Sequence, residues 1–351
     1  MRISFVEESD LNYWENHLKK AGGGPFLSAQ WLESFRDSKC TPMYFRFLSG
    51  SLTVGLAAGL SFEPPHPSLK KIFRKLFFFS GPAFIQSNPE LDKACVSLLI
   101  DYASENNYTH LEMRSYDYPH PIDFEHLSFI KEERDEFIID LKPEWTDIKK
   151  KMRRMVAKQT RKAEGYGLSF LEGRSPVVIE ELAALLEQTK QVRLSKGYKD
   201  YSCYYMPYVN KAILQKSVEN NAGRLFYVKK GTKTISVMVV LTFDYKAYAL
   251  FIGSDEEAYQ LQAPAFLTFS LIKKLKSEGF DYLNLGGVPA DSSKSNIIFT
   301  KTSYGAVQHL CSGGKTPHLN GPVYNLLNIL YTKMPETKFK RVFKKSLSGR
   351  N

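Results

Sequence analysis

The sequence predicts an α/β chain, an α+β arrangement of mixed sheet, in two halves related by internal duplication. Three observations predict it. First, residues 224–288 read as strand, turn, strand, turn, strand, helix, strand. LFYVKK alternates as a pleat requires, Gly231 supplies a turn, and TISVMVVLTF is a β-branched run of the buried-strand kind. Residues 244–246 turn the chain into AYALFIG, and Pro264 stands where the first turn of a helix tolerates it. Leu267, Leu271, Ile272 and Leu275 form an apolar stripe, Gly279 ends it, and the strand YLNLGG follows. Second, two strands joined by a helix run parallel, so 247–252 and 282–285 are expected in one sheet, with a loop over 253–263 at their open end. That is the end at which α/β proteins hold ligands. Third, the same order recurs upstream as MYFRFL, the Ser49-Gly50 turn, LTVGLAAGLSF, LFFFSG, a helix over 89–106 and HLEMR. Gly81 precedes Leu111 by the same spacing that separates Gly253 from Leu283.

A length of 351 residues suits two domains. We expect the first over 1–143, a second over 144–312 that opens with a basic helix, and a C-terminal segment, 313–351, whose amphipathic basic helix packs back on the first. The net charge of +11 favours an anionic partner: tRNA, a nucleotide-linked precursor or an anionic membrane surface. Cys40, Cys95, Cys203 and Cys311 form no CxxC pair and the seven histidines no metal-ligand spacing, so neither a disulfide framework nor a metal site is expected. The N-terminus MRISFVEESD has no apolar core of the signal-peptide type, and no run is long enough to span a bilayer. A cytoplasmic protein, at most touching the inner face of the membrane through its basic tail, is the expectation.

Asp10 and Ser28 read as helix N-caps and Trp31 as a core anchor. Residues 117–136 read as a crossing loop before the short strand FIIDL. A single helix is expected over 144–164. It carries eight Lys or Arg between Lys149 and Lys162 with no acid among them. Such crowding repels itself unless an anion compensates, and phosphate contacts favour such clusters; a plainly solvated face is the competing reading. Arg153, Arg154, Lys158 and Arg161 are the candidate phosphate ligands. Tyr198, Tyr201, Tyr204 and Tyr205 crowd a short segment, where they line either a cleft or the underside of a loop. IIFTKTSYGA reads as a loop that carries Lys301 into a last strand.

FLSAQW at 26–31, RKAEGYGLSF at 161–170, LLEQTKQVR at 185–193, AYALFIGSD at 247–255, YLNLGGV at 282–288 and FTKTSYG at 299–305 together resemble the FemABX-type aminoacyltransferases. The likeness covers most of residues 25–330 and rests on order and spacing. It implies two tandem GNAT-like acyltransferase domains. It also implies transfer of an amino acid from aminoacyl-tRNA to an amine on a peptidoglycan precursor's stem peptide, with no metal or other cofactor. Residue by residue, it implies that Lys301 is catalytic and that Arg193, Tyr248 and Tyr304 bind substrate; Tyr205, from the tyrosine-rich segment, is a further substrate-binding candidate. Thr300 replaces the aromatic that precedes the family's lysine, and Phe35 stands near the place of a second lysine. There is also no long heptad insertion of the kind that contacts tRNA in some members, which leaves any tRNA to the basic helix. Two alternatives stay open: a GNAT-like N-acyltransferase using acyl-CoA on a polysaccharide, lipid or small amine, and a non-catalytic module that binds envelope precursors.

Overall fold

The computed structural model describes residues 3–37, 39–63, 74–86, 89–118, 129–195, 197, 202–288 and 294–319. The Pro-rich stretch at 64–68, Tyr198, Tyr201 and the tail from 320 lie outside the described residues. Two compact units emerge: residues 1–133 with 312–351, and residues 134–311.

In the first unit the elements are β1 (Ile3–Glu7), α1 (Leu11–Lys20), α2 (Ala29–Leu32), β2 (Cys40–Ser49), β3 (Leu52–Phe62), β4 (Lys75–Phe78), β5 (Ala83–Phe84), α3 (Pro89–Glu105) and β6 (His110–Met113). Asp10 caps α1 through the N–H groups of Asn12 and Tyr13, and the Ser28 hydroxyl accepts from Trp31 N–H to start α2. The sheet runs β1-β2-β3-β4-β6, and β4 and β6 are parallel across the helix α3, as the β-α-β order dictates. Their pairing continues past the strand ends, with Arg114 N–H donating to Phe78 O and Tyr116 N–H to Phe79 O. The rings of Phe26, Trp31, Phe35, Phe79 and Tyr116 pack edge-on and tilted around that end. Trp31 is wholly buried there, as its size and apolarity predict.

The second unit begins within β7 (Ile130–Asp140) and continues through α4 (Trp145–Lys151), α5 (Arg154–Gly165), β8 (Leu168–Gly173), α6 (Pro176–Ser195), α7 (Lys211–Glu219), β9 (Gly223–Lys230), β10 (Lys233–Phe243), β11 (Lys246–Ser254), α8 (Glu256–Gln260), α9 (Ala263–Ser277), β12 (Tyr282–Gly287) and α10 (Lys294–Ser303), ending within β13 (Val307–Lys315). The sheet order is β7-β12-β11-β10-β9-β8. Leu267, Leu271, Ile272 and Leu275 of α9 bury against Phe137, Ile139, Phe226, Val240 and Leu283, the core that the apolar stripe and the β-branched run were bound to form.

Four expectations are corrected. β7 starts at Ile130, so 130–136 are strand, although every residue of IKEERDE after Ile130 is charged. Residues 256–260, expected in a loop, form α8, capped by Asp255 on Ala258 N–H. Lys301 lies on a helix, α10. Gly is absent from 294–303, and the hydroxyls of Thr300, Thr302 and Ser303 fold back onto carbonyls four residues earlier, which hides helical character in a Thr/Ser-rich sequence. Finally, the helix expected over 144–164 is two helices. Met152 and Arg153 are extended, and Arg153 N–H donates to Ser303 O at 2.9 Å instead of to its own helix.

Candidate active site

β11 and β12 are parallel neighbours over only three residue pairs, Lys246–Tyr248 against Tyr282–Asn284. β11 then runs on to Ser254 with no further β12 partner among the described residues. A parallel pair that parts midway leaves unpaired strand edge beside a helix terminus, which is how an open α/β sheet admits a substrate. The β4–β6 pair of the first unit remains hydrogen-bonded over the corresponding stretch, so the two copies share a plan and differ where chemistry is possible. Gly253 packs on Leu185 and Leu186 of α6, whereas Gly81 faces the Tyr118 ring; the shared spacing does not give them like surroundings.

At the parting, β12 carries a bulge. Asn284 pairs with Ile138 and Gly287 with Glu136, so Leu285 and Gly286 together oppose one residue of β7. Gly286 has φ +72°, a conformation other residues adopt only with strain, and at Gly287 an added Cβ would lie 2.5 Å from the Arg134 guanidinium and 2.9 Å from Asp135 O. The bulge turns three carbonyls onto one atom. Lys301 Nζ donates to Leu285 O at 2.5 Å, Gly286 O at 2.8 Å and Gly287 O at 2.6 Å. Three acceptors for three N–H groups describe the ammonium form. Burial pushes Lys301 down to about 7; Glu136 opposes that shift and Arg134 adds to it. The Phe137 ring is 5.6 Å from the ammonium.

Behind the bulge stands Glu136, 0% exposed. Its Oε1 accepts from the Tyr248 hydroxyl at 2.9 Å and lies 3.2 Å from Arg134 Nη2. Its Oε2 accepts from Asn284 Nδ2 at 2.8 Å and, at 4.0 Å, from Cys311 Sγ. Asn284 Oδ1 in turn accepts from Gly286 N–H at 2.8 Å. Glu136, Arg134 and Asn284 were not singled out from the sequence. The available signal was Asn284 itself, a polar residue inside the apolar strand YLNLGG just ahead of two glycines.

The other expected site residues distribute unevenly. Tyr248 is buried and serves Glu136. Tyr205 is 62% exposed, donates from its hydroxyl to Leu250 O at 2.5 Å on the half of β11 beyond its β12 pairing, and sets its ring on Phe251. Tyr304 is buried in the core with Ile148 and Leu271, where burial pushes its hydroxyl up to about 12 against a hydrogen bond with Thr268. Arg193 lies on α6, and its side chain is outside the described residues. The break between α4 and α5 brings Arg153 to α10, with its guanidinium 4.4 Å from the centre of the Phe299 ring. From there Arg154, Lys158, Arg161 and Lys162 follow at helical spacing on one exposed face of α5, opposite buried Val156, Thr160 and Ala163. None of these four has an ion-pair partner among the described residues, whereas Lys150 on α4 pairs with Asp147.

Residues 150–293, wholly within the second unit, match the family described as an acetyltransferase (GNAT) domain. The structure of FemX superposes with a TM-score of 0.66 at 12% identity, covering 93% of this chain and 99% of FemX. A conserved protein of unknown function from Bacteroides thetaiotaomicron gives 0.57 at 13% identity, over 90% of this chain and 99% of its own. L-PGS from Bacillus licheniformis gives 0.53 at 16%, over 93% and 97%. No curated protein matches the sequence. The chain thus has a GNAT-type fold in two units of like plan, and its second unit carries the match to the acetyltransferase domain. The FemABX resemblance read from the sequence is borne out as a likeness of fold to FemX. No helix among the described residues is long and apolar enough to cross a membrane, and no cluster there could hold a metal ion.

Proposed function

We propose that the protein moves an amino acid from aminoacyl-tRNA to an amine on the stem peptide of a peptidoglycan precursor. The observation that carries this reading is the parted β11–β12 pair with the Lys301 ammonium on its bulge, at the end of a helix tied to an unpaired cationic stripe. A primary amine attacks the donor's ester carbonyl, so an N–C bond forms as the bond to the 3′ oxygen breaks. The amine's proton leaves with that oxygen. Lys301 supplies positive charge near the oxyanion, a role that needs no nucleophilic side chain. Tyr205 and Arg193 are assigned to acceptor binding, Tyr248 braces the site from behind, and Tyr304 supports α10 from the core. Arg153, Arg154, Lys158 and Arg161 take phosphates of the donor. Neither metal nor cofactor takes part, and the reaction belongs in the cytoplasm, at or near the membrane's inner face.

Incubation with a pool of charged tRNAs and amine-bearing wall precursors, followed by mass spectrometry of the acceptor, tests the reading. One aminoacyl increment is expected, and no increment with any charged tRNA sinks it. The match to an acetyltransferase domain favours one second reading, acyl-CoA as donor. Against it, α9 is entered through its N-cap Gln262 with no glycine-rich turn to cradle a pyrophosphate. A thermal shift with CoA and none with aminoacyl-tRNA would decide for it.

The cationic stripe yields its own expectation. Arg154→Glu with Arg161→Glu weakens donor binding and reduces the slope of log K against log salt by about 1.5, two phosphate contacts' worth. Filter binding at several salt concentrations measures this. An unchanged slope assigns the stripe to plain solvation.

A further inference from the structure

Nothing in the proposed transfer chemistry uses Glu136, yet it is the most completely buried carboxylate of the second unit's site. Burying a carboxylate is costly, and well-packed apolar side chains commonly stabilise such a place as well or better. Its contacts are what distinguish it. One oxygen receives Tyr248 and Arg134, and the other receives Asn284. Because the carboxylate accepts from the amide nitrogen of Asn284, the amide oxygen must face the other way, and it takes the N–H of Gly286. That bond closes the bulge, and the bulge aims the carbonyls of Leu285, Gly286 and Gly287 at Lys301 Nζ. Glu136 also stands directly across β7–β12 from Gly287, one of those three carbonyl residues.

We infer that Glu136 is a positioning residue. Through Asn284 it fixes the β12 bulge, and so sets where the Lys301 ammonium stands at the opening of the parallel pair. This rests on the role given to Lys301 above. Its prediction concerns the lysine itself and needs no donor. The charged and titratable groups around the ammonium are Glu136 and Arg134 on β7, with Tyr248 on β11 and Cys311 on β13 reaching it by way of Glu136. The carboxylate raises the lysine's proton affinity and the guanidinium lowers it, so removing one or the other must act in opposite senses.

The test is a pH titration of the full-length protein carrying 13C-labelled lysine, followed by 1H–13C correlation spectra, with Lys301→Arg assigning the signal. In the wild type the midpoint is expected near 7. Glu136→Gln, nearly isosteric, lowers Lys301's proton affinity by about tenfold or more, and Arg134→Gln raises it. Asn284→Ala keeps both charges but frees the bulge. It broadens or splits the Lys301 signal. Midpoints that stay put, or that move the same way in both charge variants, overturn the inference, as does an unperturbed Lys301 signal in Asn284→Ala. Should Glu136→Gln fail to fold, Arg134→Gln and Asn284→Ala still decide. If these shifts appear and no charged tRNA yields product, the positioning role stands and the donor reading falls.

Discussion

Lys301→Met is expected to lower turnover about 100- to 1,000-fold, the cost of removing one preorganised charge at a developing oxyanion, and to change donor affinity little. Methionine keeps the length of the side chain and packs beside Phe137, but it offers nothing to the three carbonyls of β12. Lys301→Arg, which retains charge with a different donor geometry, is the companion variant and should recover part of the loss. Single-turnover kinetics with separately measured donor binding separates the two quantities. The wild type carries a pH signature as well. The ammonium is the working form, so activity falls as pH rises through about 7, where burial has placed the group, and the Met variant lacks that limb. Unchanged turnover in a folded Met variant would remove Lys301 from the chemistry.

What could be read in the sequence follows from the range of the interactions involved. The β11-α9-β12 unit was legible because a helical stripe, a β-branched run and Gly279 are local signals, and parallel strands follow from a helical crossover alone. Lys301 was found through resemblance, but its setting was misread. Thr300, Thr302 and Ser303 resemble loop residues until their hydroxyls are seen to bond back within the helix. The break at Met152 and Arg153 was invisible because its cause, a carbonyl at Ser303, is supplied from far along the chain. Glu136 was missed for the same reason. Its partners Tyr248 and Asn284 are more than a hundred residues away, and in DEFIID it looks like one more surface acid. The bulge needs two strands to define it, so Gly286 and Gly287 were read only as the end of the strand YLNLGG.

The largest stability effect is expected at Phe137, whose ring is wholly buried in the second unit's core. Phe137→Ala removes the ring from among Ile139, Leu283 and the α9 leucines and should cost about 3–5 kcal/mol, part lost transfer energy and part cavity. For a unit of this size that is a fall on the order of 10 °C in Tm. Phe137→Leu, which refills most of the space, should cost under about 1.5 kcal/mol. The same truncation reaches the site, because the ring lies 5.6 Å from the Lys301 ammonium and helps keep water from it. Water admitted to the cavity eases the desolvation that holds Lys301 low, so its pKa rises and the alkaline limb of activity moves to higher pH. Thermal melts and a pH profile on the Ala and Leu variants measure both effects. A limb that stays at the wild-type pH in Phe137→Ala would place the source of the depressed lysine in groups other than this ring.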